Sequence, residues 1–396
     1  MAARESSNSR PAWASRRLFI AGAAAVVLAA GGTATALAAH HSAADNHAGS
    51  SKARLASSSC SGPAGAAYVA LTGYQAFDAV DTANCKLIQQ YNVGDSQVAG
   101  DPGDYNYDSS EEGVAIHGDT LYFADTGNDT VAVMNAAALQ VSNYENPPET
   151  LIHVGFDPQS LAVTPDGSQV WVADTGPETG EPSLGAISVI SAATDAVTHS
   201  LNLPIDPREI AFSPSGATAY LTSSQGLLVI NTANLRVAAF IPGLGDPEGV
   251  AVSPDGHTIY VTNTAQGQVD VINAADNRVT GTIRVGQLPW QLVISSSGST
   301  IYVADGDSNA ISVISAASGK VTNTIPDAGD PVSLGLTPDG SQLWVGGLTS
   351  GIVTVFDTAT DSLVGSFNVG YGGEPNAGDG DEPTAIVLTT TPTPGS

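Results

Sequence analysis

Oxygen-bearing side chains recur where they could converge on a cation. The loop sequence GDSQVAGDPGDYNYDSSEE (residues 94–112) contains Asp101, Asp104 and Asp108. Three further oxygen donors end short hydrophobic segments of similar sequence: Asp125, Asn263 and Asp305. Ca²⁺ takes hard oxygen ligands of this kind, so these six residues are candidate calcium ligands. The loop does not have EF-hand spacing. Because Asp before Pro or in Asp-Thr-Gly is also a good turn former, a purely structural role stays open.

Motifs of common catalytic sites are absent from the sequence. It contains no C-x-x-C, C-x-x-C-H, H-E-x-x-H, P-loop or G-x-S-x-G pattern. The 12 Lys and Arg residues face 39 Asp and Glu, giving a net charge of −27. A chain this acidic disfavours nucleic acid, whose recognition needs clustered Lys and Arg. Cations and basic surfaces are the electrostatically natural partners.

One sequence unit recurs seven times. PDGSQVWVAD (residues 165–174), PDGHTIYVTN (254–263) and PDGSQLWVGG (338–347) are three copies of its first half. An aromatic residue marks this half in every unit: Tyr68, Tyr122, Trp171, Tyr220, Tyr260, Tyr302 and Trp344. A second anchor also occurs seven times, at Val80, Met134, Ile190, Ile230, Ile272, Ile314 and Phe356. The last four of these anchors are 42 residues apart, which is typical of a repeat architecture.

Each unit divides into four short strands, which we name a to d in chain order. In residues 247–286 they are PEGVAVS, TIYVTNT, QVDVIN and RVTGTIRVG, separated by turns rich in Pro, Asp, Asn and Gly. Strands b and c are apolar on both faces, as expected for sheets covered on both sides by neighbouring sheets. Four strands in about 42 residues are typical of a β-propeller blade.

The units resemble the YVTN-type β-propeller repeat, most closely in IYVTNTAQGQVDVINAADNRVTGTI (residues 259–283). The resemblance covers residues 64–390 and implies an all-β, seven-bladed propeller of four-stranded antiparallel blades. The first unit lacks strand a, and EPTAIVLTT (residues 382–390) supplies a spare one. We therefore expect this C-terminal strand to join the first blade, which leaves no sheet edge open.

The loops between strand d of one blade and strand a of the next share one end of the ring with the b–c loops. The insertions at 94–112, 176–185 and 370–382 all fall there, and insertions on one face of a repeat array commonly mark the binding face. Acidic residues begin strand a in most units: Glu111, Asp157, Asp206, Asp246, Asp330 and Glu382. Just inside lie Glu112, Arg208, Glu209, Glu248 and Trp290. Of these, Glu112, Arg208, Glu248 and Trp290 are the candidate binding residues at the channel mouth.

The N-terminus has the pattern of an export signal. Four Arg residues precede an apolar stretch that begins at Leu18, and SRRLFI (residues 15–20) is similar to a twin-arginine signal. Residues 1–39 are the predicted signal, 40–63 a flexible linker and 391–396 a disordered tail. An uncleaved membrane anchor is the alternative. The prediction is an extracytoplasmic protein, secreted or associated with the cell envelope.

Two cysteines, Cys60 and Cys85, remain after the predicted signal. An even count in an oxidising compartment favours one disulfide, and two free thiols are the alternative. A disulfide here would connect the start of the propeller to its first blade.

Two functions fit these features. The first is an exported, non-catalytic binding or scaffold propeller whose acidic end holds a partner protein, a cell-envelope component or a cation. The second is a calcium-dependent, lactonase-like hydrolase or lyase that acts at the channel mouth. Because fold does not imply function, the first is preferred. The expected molecule is a monomer with no nucleic-acid partner and no membrane contact after signal cleavage.

Overall fold

The computed structural model describes residues 64–72, 76–92, 111–136, 139, 149–176, 185–327, 329–348, 351–369 and 382–389. The chain divides into the units Met1–Ala56 and Ser57–Ser396, and all described residues belong to the second. The predicted signal, linker and tail lie outside the described residues. Within the described ranges, no helix combines the length and apolar character needed to cross a lipid bilayer.

The described residues form 28 strands. In chain order the first seven are β1 (Ala66–Thr72), β2 (Ala76–Asp81), β3 (Lys86–Asn92), β4 (Glu111–His117), β5 (Thr120–Asp125), β6 (Thr130–Asn135) and β7 (Glu149–His153). The next eight are β8 (Pro158–Val163), β9 (Gln169–Asp174), β10 (Ala186–Ser191), β11 (Ala196–Asn202), β12 (Pro207–Phe212), β13 (Thr218–Ser223), β14 (Gly226–Asn231) and β15 (Arg236–Pro242). Eight more are β16 (Pro247–Val252), β17 (Thr258–Asn263), β18 (Gln268–Asn273), β19 (Arg278–Arg284), β20 (Pro289–Ile294), β21 (Thr300–Asp305), β22 (Ala310–Ser315) and β23 (Lys320–Pro326). The last five are β24 (Pro331–Leu336), β25 (Gln342–Gly347), β26 (Ile352–Asp357), β27 (Ser362–Asn368) and β28 (Glu382–Thr389).

Seven four-stranded antiparallel sheets form the ring. Six contain four consecutive strands each, from β4–β7 (blade 2) to β24–β27 (blade 7). Blade 1 has the order β28-β1-β2-β3, so the C-terminal strand is its strand a. The predicted all-β, seven-bladed propeller is confirmed.

The closing strand pairs as predicted. Tyr68 lies opposite Val387 and Val69 opposite Ile386, in antiparallel register with one irregularity beyond Ala70. Ile386 and Leu388 are buried in one cluster with Trp344 of blade 7. The closing strand therefore holds the first and last blades together by backbone pairing and by apolar burial.

The repeated aromatic residues form the core between blades. All seven are buried, from Trp171 and Trp344 at 0% exposure to Tyr260 at 7%. Trp171, for example, packs in one cluster with Ile210 and Leu221 of the next blade. Large side chains at one repeated strand position thus fill the wedge between neighbouring sheets.

The recurring Pro-Asp-Gly phrase is a turn between strands a and b. Thr164 Oγ1 donates a hydrogen bond to Asp166 Oδ1 (2.7 Å), which also accepts one from the Ser168 backbone N–H (3.0 Å). Gly167 has a φ of +71°, and a Cβ there would lie 2.0 Å from Nε2 of His117 in the preceding blade. Glycine is therefore required both by conformation and by the neighbouring blade.

One end of the predicted disulfide is described. Cys85 lies in the turn between β2 and β3 and is buried. Cys60 lies outside the described residues, so the disulfide stays a prediction.

Candidate functional site

Strand a, the innermost strand of each blade, begins with a β-bulge. This start of the strand lies at the end of the ring that the d–a loops form, which we call the d–a end. In β12, Pro207 pairs with Ser223 and Ile210 with Leu221, so Arg208 and Glu209 together face one residue of β13. Similar register shifts occur in β4, β8, β16, β20 and β24. A bulge of this kind changes the direction of successive side chains and places two residues per blade at this end.

The four predicted channel-mouth residues occupy one position in four blades. Arg208, Glu248 and Trp290 each follow the proline that begins strand a, and Glu112 follows Glu111 in β4. The structure brings two of them into direct contact, because Arg208 Nη1 pairs with Glu248 Oε1.

Arg208 lies within a cluster of three carboxylates, which we call the Arg208 cluster. Its Nη1 donates to Asp246 Oδ1 (2.8 Å), to Glu248 Oε1 and to the Pro247 carbonyl oxygen (3.3 Å). Its Nε lies 3.7 Å from Asp206 Oδ2. The Arg208 side chain is 10% exposed, against 27% for Asp246 and 19% for Glu248. One buried cation thus holds three carboxylates that remain partly open to solvent.

Trp290 lies two blades from Arg208, beside blade 7. Its carbonyl oxygen accepts a hydrogen bond from Thr262 Oγ1 (2.7 Å). A Cβ built on Gly306 would lie 2.9 Å from Trp290 Nε1 and 2.8 Å from Asp330 Oδ1. The indole edge and this carboxylate therefore border the same small space, which only glycine leaves open.

Glu209 is the residue at this end that the candidate set omitted. Its Oε2 accepts a hydrogen bond from the Val250 backbone N–H (3.3 Å) and its Oε1 accepts one from Gln291 Nε2 (3.4 Å). Gln291 Oε1 in turn accepts a hydrogen bond from the Leu334 backbone N–H (2.6 Å). This chain of contacts links the innermost strands of blades 4 to 7.

Burial removes Glu209 from water and raises its pKa to about 8. The nearby charge of Glu248 adds to this rise, whereas hydrogen bonds from Gln291 and Val250 oppose it. A neutral carboxylic acid is therefore favoured at this position near pH 7.

The candidate calcium ligands at the ends of b strands are not brought together. Asp125 and Asp305 are 0% exposed, and each is bonded within its own blade. Asp125 Oδ2 accepts from Asn128 Nδ2 (2.8 Å), and Asp305 Oδ2 accepts from Ser312 Oγ (2.6 Å). Asn263 Nδ2 donates to Asp270 Oδ2 (3.0 Å). Each of these residues therefore makes these side-chain hydrogen bonds within its own blade, at the d–a end.

Within the described part of the chain, no group of three or more His, Cys, Asp or Glu side chains is arranged so that it could hold a metal ion. Asp101, Asp104 and Asp108 lie outside the described residues, so calcium binding by that loop stays a prediction.

The buried carboxylates predict a pH-dependent stability. Burial raises the pKa of Asp174 to about 7 and that of Asp305 to about 6. With Glu209, these groups bind more protons in the folded than in the unfolded chain, so their stabilising contribution is complete below about pH 4 and is lost as pH rises to about 8. We expect urea unfolding to show lower stability at pH 8 than at pH 5, with a slope of up to about 1.4 kcal/mol per pH unit for each titrating group.

A matched pair of variants tests whether the buried carboxylates cause this pH dependence of stability. Glu209→Gln removes the group that titrates highest and should flatten the curve between pH 7 and 8. Asp166→Asn changes an exposed group whose pKa is lowered to about 2 by hydrogen bonds from Thr164 and Ser168, so its curve should keep the wild-type shape. Equal curves for the wild type and Glu209→Gln would contradict the assignment.

Several solved structures share the fold. A functionally unknown protein from Desulfotomaculum acetoxidans DSM 771 is 15% identical with a TM-score of 0.62, over 82% of this chain and 98% of that one. Hydrazine synthase from Kuenenia stuttgartiensis is 22% identical with a TM-score of 0.58, over 74% and 92%. The β-propeller domain of Cps50 (Swd1) from Myceliophteria thermophila is 10% identical with a TM-score of 0.55, over 65% and 85%. At these identities the likeness concerns the fold alone.

No curated protein has a significantly similar sequence. A family model described as the choice-of-anchor I domain matches residues 59–292, which is more than half of the chain. The matched stretch begins before β1 and ends within β20, so it covers the Arg208 cluster and most of the blades. The chain therefore belongs to the choice-of-anchor I family.

Proposed function

We propose that this protein is an exported, non-catalytic binding propeller whose acidic d–a end holds a cationic partner. A basic segment of another protein or a cationic cell-envelope component fits this chemistry. The observation that carries the proposal is the Arg208 cluster, in which three carboxylates share one cation and two of them are 27% and 19% exposed. The excess negative charge is held in place at the end of the ring where a ligand could reach it.

Further side chains at the d–a end support a cationic ligand. Asp157 is partly exposed, and its Oδ2 accepts a hydrogen bond from Thr175 Oγ1 (2.5 Å). The adjacent Phe156 is 61% exposed. An exposed aromatic ring beside a carboxylate attracts cations through both the ring face and the charge. Asp206 and Asp246 occupy the corresponding position in the next two d–a loops.

Two other observations support a location outside the cytoplasm. The N-terminal sequence has the export pattern described above, and the family name refers to an anchor. A ring that positions acidic loops at one end suits a protein that presents a binding surface at the cell envelope.

Neutralising the d–a end should weaken binding of a cationic probe. We expect Asp206→Asn with Asp246→Asn to reduce the affinity for an oligolysine peptide about tenfold at low salt, since partly exposed ion pairs contribute about 0.5–1 kcal/mol each. Asn at residue 246 keeps an oxygen for Arg208 and tolerates the positive φ of 64°. Fluorescence anisotropy of the labelled peptide measures the change.

The control carries the same change in net charge at the opposite end. Asp195 and Asp276 lie exposed in c–d turns, so Asp195→Asn with Asp276→Asn should leave the affinity within about twofold, because charges beyond a Debye length of about 10 Å are screened. Equal losses in both variants would show a general charge effect and contradict the proposed site. Calcium-dependent hydrolysis of a lactone by the purified protein would contradict the non-catalytic assignment.

A further inference from the structure

Positive charge in the propeller lies almost entirely on the outermost strands. Residues 64–390 contain six Lys and Arg residues: Lys86, Arg208, Arg236, Arg278, Arg284 and Lys320. All except Arg208 belong to strand d of a blade. The acidic residues of the Arg208 cluster, by contrast, lie in or beside strand a. The ring is therefore negative at its inner d–a end and carries its cations at the outer edge.

Four of these cations occupy one repeated position, the first residue of strand d: Lys86 begins β3 of blade 1, and the other three lie in neighbouring blades. Arg236, Arg278 and Lys320 are the first residues of β15, β19 and β23 in the consecutive blades 4, 5 and 6. Each directly follows a c–d turn, so all three lie at the outer edge of the end opposite the d–a end. We call these three residues the cationic rim.

The rim side chains are exposed and carry no ion pair within the described residues. The outer halves of blades 4 and 6, residues 226–242 and 310–326, contain no Asp or Glu. In blade 5 the exposed Asp276 accepts a hydrogen bond from the Arg278 backbone N–H (3.3 Å). Asp361 of blade 7 accepts one from Asn323 Nδ2 (2.8 Å). In the c–d turns and outer strands of blades 4 to 6, the three rim cations therefore meet one exposed carboxylate, Asp276, while the exposed Asp255 lies at the same end in the a–b turn of blade 5.

Exposed apolar side chains accompany the cations. Val237 and Val279, each next in sequence to a rim arginine, are 49% and 45% exposed. A ligand at the rim would therefore contact both charged and apolar side chains. In the described outer strands of blades 4 to 6, one aromatic ring is exposed, that of Phe240 at 41%. Single-stranded nucleic acid binds on several stacking rings, which this surface does not provide.

We propose that the cationic rim binds a flexible linear polyanion, such as a polyphosphate or polyphosphodiester chain. The rim follows the circumference, because consecutive blades of a seven-membered ring are turned by about 50° from each other. The three rim residues therefore lie along about 100° of arc. A DNA duplex, with a persistence length of about 500 Å, could not follow this curve. A flexible chain can contact all three.

The net charge of −27 does not prevent this binding. The rim and the d–a end lie at opposite ends of strands of about seven residues, which span about 20 Å. This separation is about twice the Debye length at physiological salt, about 8–10 Å. The polymer therefore senses mainly the local cations, while the d–a end remains a separate site for cations.

Binding of long-chain polyphosphate to the full chain tests the proposal. We expect the triple variant Arg236→Gln, Arg278→Gln, Lys320→Gln to lower the affinity at least about tenfold. The slope of log affinity against log salt should become shallower by about 2, because each lost phosphate contact contributes about 0.7 to that slope. These residues are exposed, so the variant should keep the wild-type unfolding midpoint. Surface plasmon resonance at several salt concentrations measures both quantities.

Variants of β19 provide the matched control. Arg278→Gln removes a rim charge, whereas Arg284→Gln removes an equally exposed charge at the other end of the same strand. We expect only the first to weaken binding. Orthophosphate should not compete at equal phosphate concentration, because it cannot bridge the blades. Equal effects of the two variants, or the absence of polyphosphate binding at low salt, would overturn the proposal. Tighter binding to anionic lipid vesicles than to polyphosphate would overturn it as well.

Discussion

A chain that ends at residue 381 should lose its cooperative unfolding transition. The deletion removes β28, which pairs with β1 over seven positions and supplies the buried Ile386 and Leu388. Ser333 Oγ of blade 7 also loses its acceptor, the Pro383 carbonyl oxygen at 2.9 Å. Burial of Ile386 and Leu388 alone contributes about 1.5–3 kcal/mol for each side chain, against a total of about 5–15 kcal/mol for a typical domain. Differential scanning calorimetry measures the transition.

The control is a chain that ends at Thr389, which keeps β28 and should unfold like the full chain. Where the shorter chain does not accumulate, Ile386→Ala and Leu388→Ala provide the test, and each should cost about 2–5 kcal/mol in urea unfolding. An unchanged transition in the chain that ends at residue 381 would contradict closure by this strand.

Replacing Arg208 by Met should destabilise the protein by about 3–5 kcal/mol at pH 7. This is the usual cost of removing one partner from a buried ion pair, because the remaining charge loses its compensation. Here Asp206, Asp246 and Glu248 would be left facing one another without a cation. Urea unfolding of the variant and the wild type measures the difference.

Two further variants separate charge from packing. Adding Asp246→Asn and Glu248→Gln to Arg208→Met should restore part of the lost stability, because it removes the uncompensated charges. Arg208→Lys should cost less than Arg208→Met, since it keeps the charge but not the forked geometry that reaches both carboxylates and the Pro247 carbonyl oxygen. An effect of Arg208→Met below about 1 kcal/mol, the size expected of a surface ion pair, would contradict the importance of the Arg208 cluster.

The fold followed from the sequence because its determinants are periodic. Aromatic residues such as Trp171 recur at one strand position, and Pro-Asp-Gly turns such as 165–167 separate the same pair of strands in several blades. The spare strand at 382–390 indicated closure because the first unit lacked one. The more specific resemblance to YVTN-type repeats and the twin-arginine-like signal stay predictions.

The candidate site followed from the sequence only in part. Arg208, Glu248 and Trp290 were found because each follows a proline at the start of strand a. Glu209 was placed just inside this end but not among the binding candidates, and Gln291 was not named. Strict alternation along a strand would point both away from the preceding residue, so their position at this end depends on the bulge.

Residues that end b strands were harder to interpret. Asp125 and Asp305 have the residue type of a metal ligand, but their carboxylates accept hydrogen bonds within their own blades. Sequence does not distinguish a buried, internally bonded carboxylate from one that points into a channel. The distinction depends on which neighbouring strand supplies a donor, as Ser312 does for Asp305.

Hydrogen–deuterium exchange of the full chain with and without oligolysine tests most directly whether the d–a end is the cation-binding surface. We expect slower exchange in the loops that precede β12 and β16, residues 203–206 and 243–246, and unchanged exchange in the a–b turn at residues 253–257 at the opposite end. Protection of that turn instead, or no protection at the d–a end while the peptide is bound, would contradict this expectation.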